Sequence, residues 1–259
     1  MSGHAPVPLF GMPWTRGMTV DQRFDLYARY LDMARIWQDN AVAARQDLLA
    51  GRKVVIALRQ PTSTASNKGR GVYDDRIVIL QKTRDGQKRV MEFPANTEPS
   101  AQYDAGAGQA RFPALAGVTL KKADGRDVNR DGVRDLGRLR PGIYRFVNNP
   151  SKSPIFLGSF NVDPKSMRSS GRRSVERDIR HSGRFDAGAA GQDRINASFL
   201  IHKGGSDNTW SAGCQTIPQV AKANAGYLPE RKPWATFTAT MRPQRGFYYV
   251  LVDVSRPAF

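Results

Sequence analysis

Apolar residues between positions 19 and 50 recur every three or four residues, which is the spacing of one face of an α-helix. Thr19 and Gln22 fit a capping box at the start, and Gly51 fits a stop signal at the end. We predict one long amphipathic helix or two joined helices, preceded by an extended arm over residues 1–18. We interpret the apolar stripe as a packing face rather than a partner-binding face. It consists of Phe24, Tyr27, Leu31, Ala34, Trp37, Ala41, Ala44 and Leu48.

After Gly51 the pattern changes to short β-branched and apolar runs, separated by turn residues such as Asp85-Gly86. Because no long helix separates these runs, they predict a mainly β fold, a barrel or a sandwich, with an N-terminal α-helical segment. We divide the chain into an N-terminal arm and amphipathic helical segment, residues 1–51, and a β-rich domain, residues 52–259. The predicted strands are residues 54–58, 76–80, 89–93, 142–147, 155–160, 197–202 and 246–252.

Two longer segments between the strands are predicted as loops. Residues 60–75 are polar and contain glycine, and residues 164–192 are rich in Arg, Ser and Gly. The second segment fits either an ordinary exposed loop or a flap over a site. A short helix is expected at residues 220–223, after Pro218.

The chain is strongly basic, with 40 Lys and Arg residues against 23 Asp and Glu and a formal charge of +17. Such a surplus attracts polyanions, among them nucleic acid, anionic lipid and bacterial cell-wall polymers. The basic residues are scattered and match no zinc-finger or RNA-binding-strand signature. We therefore predict no specific nucleic acid as a partner.

Two further features of the sequence concern location. No stretch reaches the ~20 apolar residues that span a bilayer, so we expect no membrane span. Residues 1–8 lack a basic segment followed by an apolar one, so we expect no secretory signal peptide. A protein of this kind that acts in the periplasm or cell wall would be made in the cytoplasm. It would leave by lysis or through a dedicated secretion machine.

Cys214 is the only cysteine of the chain, which excludes an intramolecular disulfide and a thiolate zinc site. It is therefore either an inert core thiol or a reactive one. His202 lies twelve positions upstream, at the end of the predicted strand 197–202, where side chains leave the core. We expect His202 to take the thiol proton and a thiolate of depressed pKa to attack a carbonyl carbon. Backbone N–H groups near Gly213 and Cys214 would stabilise the oxyanion.

The run Ser211-Ala212-Gly213-Cys214, together with His202 at a strand end, resembles the signature of the L,D-transpeptidase (YkuD-like) catalytic domain family. The match covers residues 195–218, with a looser strand pattern from residue 52. The resemblance implies a β-rich L,D-transpeptidase-type domain in which Cys214 is acylated and His202 is its base. It also implies that Ser211 and Gly213 form the site wall and oxyanion environment. The implied substrate is a peptidoglycan stem peptide, cleaved after an L-configured centre, typically at diaminopimelate–D-Ala.

The chain also departs from the family pattern, which indicates a divergent branch. The gap from His202 to Ser211 is shorter than usual, Ala212 replaces a frequent His or Lys, and residues 215–218 replace the usual tail. These differences leave open whether the acyl group passes to an amine, as in transpeptidation, or to water, as in L,D-carboxypeptidase cleavage.

Residues near the motif are candidates for binding the carboxylates of such a substrate. We predict this role for Lys203, Gly204, Arg194, Arg184 and His181. Residues 178–186 weakly echo the spacing of a calcium loop. They are expected to form a turn that brings His181 and the Arg-rich loop near the cleft. The alternative for any one of these charges is an ordinary solvated surface position.

Residues 127–135 fit the start of a calcium loop, D-x-[DN]-x-[DN]-G-x-x-D. Gly132 would make the sharp turn, and Asp124 would supply a further carboxylate, since position twelve of the loop is Arg138. The predicted metal ligands are Asp127, Asn129, Asp131, the Val133 carbonyl and Asp135. We expect a structural Ca²⁺ here and no cofactor for catalysis. The alternative is a polar turn between strands.

Three functions stay open from the sequence. The first is a cysteine acyltransferase or hydrolase of cell-wall stem peptides. Its setting would be a phage-associated enzyme or an antibacterial effector with an immunity or delivery partner. The second is a noncatalytic cell-wall- or polyanion-binding protein that retains the fold around an inert Cys214. The third is a cysteine peptidase acting on protein. Expression with and without an added periplasmic signal peptide tests the effector setting, since only the exported protein should be toxic.

Overall fold

A computed structural model of the protein describes residues 11–33, 38–149, 157–163, 174–185, 191–193, 198–222 and 226–255. The predicted features at Ala34, Trp37 and Arg194 lie outside these residues. So do residues 1–10 of the predicted arm and the start of the predicted strand 155–160.

Two helices form the N-terminal segment, α1 over Val20–Met33 and α2 over Gln38–Leu49. The predicted capping box forms in both directions: Thr19 N–H donates to Gln22 Oε1 at 2.9 Å, and Gln22 N–H donates to Thr19 Oγ1 at 3.2 Å. Gly51 follows α2 with a φ of +84°, a left-handed conformation that glycine adopts without a Cβ clash. The predicted helices and their end signals are confirmed. None of the described helices is long and apolar enough to cross a membrane.

The remaining described residues form mainly β structure, as predicted, in two sheets. The strands are β1 Val54–Arg59, β2 Asp75–Lys82, β3 Lys88–Ala95, β4 Gly137–Leu139, β5 Gly142–Asn148, β6 Phe160–Val162, β7 Val175–Arg177, β8 Gln192–Asp193, β9 Leu200–Lys203, β10 Gln215–Ile217 and β11 Gly246–Asp253. The other helical elements are a single turn α3 Ser66–Gly69, α4 Pro233–Met241, and 3-10 turns at Ala101–Tyr103 and Pro113–Leu115.

The larger sheet has the strand order β10-β9-β6-β5-β11-β1-β2-β3, and the smaller one has the order β4-β7-β8. β2 and β3 form the antiparallel hairpin predicted around Asp85-Gly86. Two pairs are parallel instead, β1 with β11 and β9 with β10. The first strand of the chain therefore lies beside the last one, and the two strands next to the Cys214 motif lie side by side.

The two edges of the larger sheet meet at one point, which nearly closes it into a barrel. Asn96, directly after β3, exchanges two backbone hydrogen bonds with Thr216 of β10. The Asn96 N–H donates at 2.9 Å and the Thr216 N–H at 2.7 Å. Backbone groups at a sheet edge otherwise lack strand partners, so the bridge satisfies both edges where they meet. The mainly β, barrel-like fold is confirmed, and its L,D-transpeptidase type stays a prediction.

One hydrophobic cluster joins the sheet to the N-terminal helices. It includes Tyr27 and Tyr30 of α1, Ala44 of α2 and five of the six residues of β1, a strand that is buried throughout. The apolar face predicted along the helices is thus a packing face against the sheet. The helices and the sheet share this hydrophobic core. The division of the chain into two domains at residue 51 stays a prediction.

Glu92 of β3 fastens the N-terminal segment to the sheet. Its buried carboxylate accepts hydrogen bonds from Thr15 Oγ1 at 2.7 Å and from Tyr27 OH at 2.5 Å. It also forms ion pairs with Arg23 at 2.9 Å and with Arg76, itself buried, at 3.2 Å. A charge removed from water is tolerated only with such partners, so these contacts depend on one another.

Two sequence predictions for the C-terminal half need correction. Residues 220–222 are not helical, and the helix of this region is α4, which starts at Pro233. Proline favours the first turn of a helix because its missing N–H has no partner there in any case. The segment 164–192 is not simply an exposed loop, because β7 lies within it and is buried against β4.

We expect Glu92→Ala to lower the free energy of unfolding by about 3 kcal/mol, because it leaves the buried Arg76 guanidinium without its carboxylate. Chemical denaturation measures the loss. Asp25→Ala is the matched control: Asp25 lies on α1 and pairs with Lys88 at 2.6 Å on the surface. Its removal should cost less than about 1 kcal/mol. Equal effects of the two substitutions would contradict a fastening role for Glu92.

Candidate active site

Neighbouring strands bring Cys214 and His202 to the same cavity. β9 and β10 are parallel, with Thr216 paired to His202. Cys214 directly precedes β10, two residues before Thr216. Cys214 and His202 both line this cavity. The predicted nucleophile and the predicted base thus share one cavity.

The cavity is large enough for a peptide segment, with a volume of about 660 Å³. Its lining consists of Tyr103, Lys121, Lys122, Asp124, Ser198, Leu200, His202, Lys203, Trp210, Ala212 and Cys214. A second cavity of about 130 Å³ shares Asp124, Ser198, Ala212 and Cys214, and adds Gly125, Arg126, Arg177, Phe199 and Gly213. Cys214 therefore lines both cavities.

The surroundings of Cys214 favour the protonated thiol. Its Sγ donates to the Ser198 carbonyl at 3.6 Å, and the residue is partly exposed. Burial of the sulfur by surrounding protein raises the pKa of the Cys214 thiol to about 12. The Leu200 N–H opposes that rise, and the negative charge of Asp124 adds to it. The expected depressed pKa is therefore not found in this conformation.

His202 is arranged as a neutral base. Burial lowers the pKa of its imidazole below the usual range. Its Nδ1 lies 2.9 Å from the Lys203 carbonyl oxygen. Because a carbonyl only accepts hydrogen bonds, Nδ1 carries the proton and Nε2 keeps its lone pair. At neutral pH the site thus combines a thiol with a neutral imidazole.

Ser211 and Gly213 shape the turn that presents Cys214. The Ser211 Oγ donates to the Cys214 carbonyl at 2.7 Å and accepts the Gly213 N–H at 3.1 Å. Gly213 has a φ of +126°, and a Cβ there would lie 2.3 Å from the Gly137 carbonyl oxygen, so only glycine fits. The Gly213 N–H expected in the oxyanion environment is engaged by Ser211 in this conformation. Ser211 is fully buried behind the cavity wall.

The predicted substrate-binding residues occupy different positions. Lys203 lines the cavity, whereas Gly204 is buried, and a Cβ there would lie 2.0 Å from the Tyr73 hydroxyl. Arg184 is exposed and lines neither of the two cavities beside Cys214. His181 is fully buried, so it does not meet a substrate in this conformation.

His181 instead packs the loops together. Its Nδ1 lies 2.5 Å from Asp104 Oδ1, and its ring contacts Phe112 with ring centroids 4.3 Å apart. Burial alone would lower the pKa of His181, but the hydrogen bond and charge of Asp104, with the charges of Asp178 and Asp135, raise it. The expectation that this turn brings His181 to the cleft is therefore corrected, because the imidazole is committed to Asp104.

Several residues that line the larger cavity were not predicted from the sequence. They are Tyr103, Lys121, Lys122, Ser198, Leu200 and Trp210. Trp210 is 42 % exposed and has a φ of +54°, an uncommon backbone conformation for a bulky residue. An exposed Trp directly before the Ser211 motif was a usable signal. The lysines come from a distant segment that carries no motif.

In the predicted calcium loop, side-chain oxygens of Asp127 and Asp131 accept hydrogen bonds from the loop's own backbone amides. Asp127 accepts the Arg130 N–H at 2.6 Å and the Gly132 N–H at 3.0 Å. Asp131 accepts the Val133 N–H at 2.8 Å. Within the described residues no group of three His, Cys, Asp or Glu side chains is arranged to hold a metal ion. Calcium binding at this loop stays a prediction.

The weak echo of this motif at residues 178–183 is a repeat of the same turn. Asp178 accepts the Ser182 N–H at 3.0 Å and the Gly183 N–H at 2.7 Å, as the first aspartate of the calcium loop accepts the amides four and five residues on. The fourth and sixth residues are left-handed in both turns, with φ of +50° at His181 and +75° at Gly183. The residue pattern that the two segments share therefore corresponds to a shared turn conformation.

No family model, curated protein or solved structure matches the chain. The L,D-transpeptidase family consequently stays a resemblance, carried by the residues around Cys214 and His202.

Alkylation of Cys214 should be slow at neutral pH. Since its thiol pKa is raised, the thiolate fraction and the rate with iodoacetamide should rise about tenfold per pH unit between about pH 7 and about pH 10. Mass spectrometry measures the rate on the single thiol, with Cys214→Ser as the blank and glutathione as the reference. A plateau near neutral pH would instead indicate a preformed thiolate–imidazolium pair.

We expect calcium binding at residues 127–135 to raise the melting temperature of the protein. After chelation, calcium at about 100 times its Kd would add about 2.7 kcal/mol to stability. Scanning calorimetry with and without millimolar calcium measures the shift, and Asp131→Ala, which removes a ligand oxygen, should abolish it. An unchanged melting temperature removes the metal site and leaves a polar turn.

Proposed function

We propose that the protein is a cysteine enzyme that cleaves an amide bond in peptidoglycan stem peptides, as an L,D-transpeptidase or an L,D-carboxypeptidase. The observation that supports the proposal best is the cavity that Cys214, directly before β10, shares with His202 of the parallel neighbour β9. The resemblance of residues 211–214 to the family signature adds the substrate class. The bond attacked would follow an L-configured centre, such as diaminopimelate before D-Ala.

The first half-reaction transfers the peptide to sulfur. His202 Nε2 takes the Cys214 proton while Sγ bonds to the carbonyl carbon, giving a tetrahedral oxyanion. The oxyanion then collapses and the C–N bond breaks. The imidazolium returns the proton to the departing D-Ala nitrogen, and a thioester stays on Cys214. Because the thiol and imidazole are both neutral at rest, proton transfer accompanies the attack rather than preceding it.

The second half-reaction releases the peptide. Water or an amine adds to the thioester carbonyl while His202 Nε2 takes its proton. Collapse expels the Cys214 sulfur, which recovers the proton from His202. Water gives a shortened stem, a D-amino acid gives exchange at the stem end, and the side-chain amine of another stem gives a crosslink. The second cavity that Cys214 lines is a candidate space for the acceptor.

The positive charge of the chain supports action of the protein at a polyanionic surface. A formal charge of +17 raises the local concentration of the protein near anionic wall polymers. The phage-associated or effector setting stays a prediction from the sequence. The noncatalytic alternative required an inert core thiol, and the partial exposure of Cys214 to a cavity favours the enzyme.

Incubation with purified muropeptides should consume tetrapeptide stems in a Cys214-dependent way. Mass spectrometry identifies the reaction: loss of one D-Ala is hydrolysis, replacement of that residue is exchange, and dimers are crosslinking. Cys214→Ala should abolish turnover, and His202→Gln should slow it by about 100-fold or more, since general-base catalysis contributes that much.

Circular dichroism and the melting temperature show whether these variants fold, and the exposed Lys82→Ala is the control for substitution itself. Retained turnover in Cys214→Ala excludes covalent catalysis. Consumption of casein with muropeptides untouched would identify a peptidase that acts on protein instead.

A further inference from the structure

A fully buried amide follows Cys214 in the chain. Gln215 and Tyr249 are both completely buried. Gln215 Oε1 accepts the Tyr249 hydroxyl at 2.7 Å, and Gln215 Nε2 donates to the Gly213 carbonyl at 3.3 Å. Because a carbonyl only accepts hydrogen bonds, the amide nitrogen has to face Gly213, and the amide oxygen is left for the hydroxyl. The two partners therefore determine the orientation of the amide.

Tyr249 is a fixed donor for this amide. It lies on β11, which is paired on both sides, with β1 at Val55 and with β5 at Tyr144. Its ring meets Phe146 edge-on, with ring centroids 5.1 Å apart. Burial raises the pKa of Tyr249 well above its usual range, so the hydroxyl keeps its proton. Gln215 is thus held from a central strand of the sheet.

Packing alone does not account for this pair. Burying an amide or a hydroxyl costs free energy unless it is hydrogen-bonded, and apolar side chains of the same shape can replace two bonded partners at little cost. Neither Gln215 nor Tyr249 lines the two cavities beside Cys214. The pair instead gives the Gly213 carbonyl a fixed direction.

The direction of that carbonyl fixes the Cys214 N–H. The described peptide bonds are trans, and in a trans peptide the N–H points away from the carbonyl. The groups on either side, the Gly213 N–H and the Cys214 carbonyl, are both bonded to Ser211 Oγ. The Cys214 N–H itself has no acceptor among the residues that the structure describes. Backbone donors in folded proteins are nearly always paired, so this one is available to a ligand.

We propose that Gln215, oriented by Tyr249, is a positioning residue that keeps the Cys214 N–H free to donate to the oxyanion. This role rests on the proposed function, in which attack by the Cys214 sulfur turns a substrate carbonyl into an oxyanion. A donor fixed in advance needs no reorganisation as that charge develops. Rotation of the Gly213–Cys214 peptide would turn the N–H away, and the Gln215 hydrogen bond opposes this rotation.

Turnover of muropeptides by full-length variants separates positioning from packing. Gln215→Met keeps the size of the side chain and removes both hydrogen bonds, so kcat should fall about tenfold or more at an unchanged KM. Tyr249→Phe leaves Gln215 Oε1 unpaired and should lower the melting temperature. The double variant should regain the melting temperature but not kcat. If kcat returned with the melting temperature, the pair would be structural only and the proposal would be overturned.

Two variants elsewhere remove the same chemical groups. Gln81→Met removes a side-chain amide that donates to the Gly51 carbonyl at 2.8 Å. Tyr144→Phe removes a buried hydroxyl that donates to the Arg140 carbonyl at 2.5 Å. Neither group is hydrogen-bonded to Gln215, so kcat should be unchanged. An equal loss of kcat in these controls would contradict a specific role for Gln215.

Gln215→Glu gives a pH-dependent version of the contact. A protonated carboxyl offers one donor and one acceptor, as the amide does here, whereas a carboxylate offers no donor. The kcat of this variant, relative to the unsubstituted protein, should fall as the pH rises from about 5 to about 9 and the buried group ionises. The same ratio should be independent of pH for Gln215→Met. A low ratio for Gln215→Glu at every pH would overturn the positioning role.

The single cysteine allows a test that needs no substrate. Cysteine labelled with ¹⁵N and glycine labelled with ¹³C at the carbonyl mark one peptide of the chain, Gly213–Cys214. Tyr249→Phe should shift the NMR signal of this peptide, and Tyr144→Phe should leave it in place. An unshifted signal in Tyr249→Phe overturns the positioning role whether or not muropeptides are consumed. A shifted signal, with no turnover by the unsubstituted protein, supports the positioning of the peptide and overturns the enzyme.

Discussion

Thr216 fixes the position of the candidate nucleophile from both sides of its strand. β10 is only three residues long and lies at the end of the sheet order, so pairing with β9 alone would leave its other edge open. The backbone bridge to Asn96 pairs that edge, and the β9 register sets Thr216 beside His202. Since Cys214 is two residues away, closure of the barrel and placement of thiol and imidazole depend on the same backbone hydrogen bonds.

Burial of Cys214 and His202 favours the uncharged form of each side chain. Burial lowers the pKa of His202 and raises the pKa of Cys214, so both changes favour the neutral forms. A neutral pair reacts slowly with small electrophiles, whereas in the proposed reaction His202 would remove the proton as the sulfur attacks. Low thiol reactivity and a catalytic role are thus compatible here, and alkylation alone would have been a misleading test of function.

Local patterns predicted the parts of the fold that local interactions decide. The capping box at Thr19, the stop at Gly51 and strands such as β1 depend on neighbours in sequence, and each is present. The pairing of β1 with β11 joins residues nearly 200 positions apart and left no sequence signal. The motif at Cys214 and residues 121–124 are 90 to 93 positions apart and share a cavity, again without a sequence signal. Nor could the sequence give the raised thiol pKa, which follows from burial.

Residues 60–75 include uncommon backbone conformations, and hydrogen bonds join this segment to the loop that carries Trp210. Asn67 and Lys68 are left-handed, and the Asn67 amide donates to the Gly71 carbonyl at 3.0 Å and to the Asp207 carbonyl at 2.9 Å. This ties residues 60–75, predicted only as a polar loop, to the loop that carries Trp210. Conformations of this kind cost of order 1–3 kcal/mol each and persist when their surroundings determine them. The loop that carries Trp210 is therefore supported by hydrogen bonds from residues 60–75.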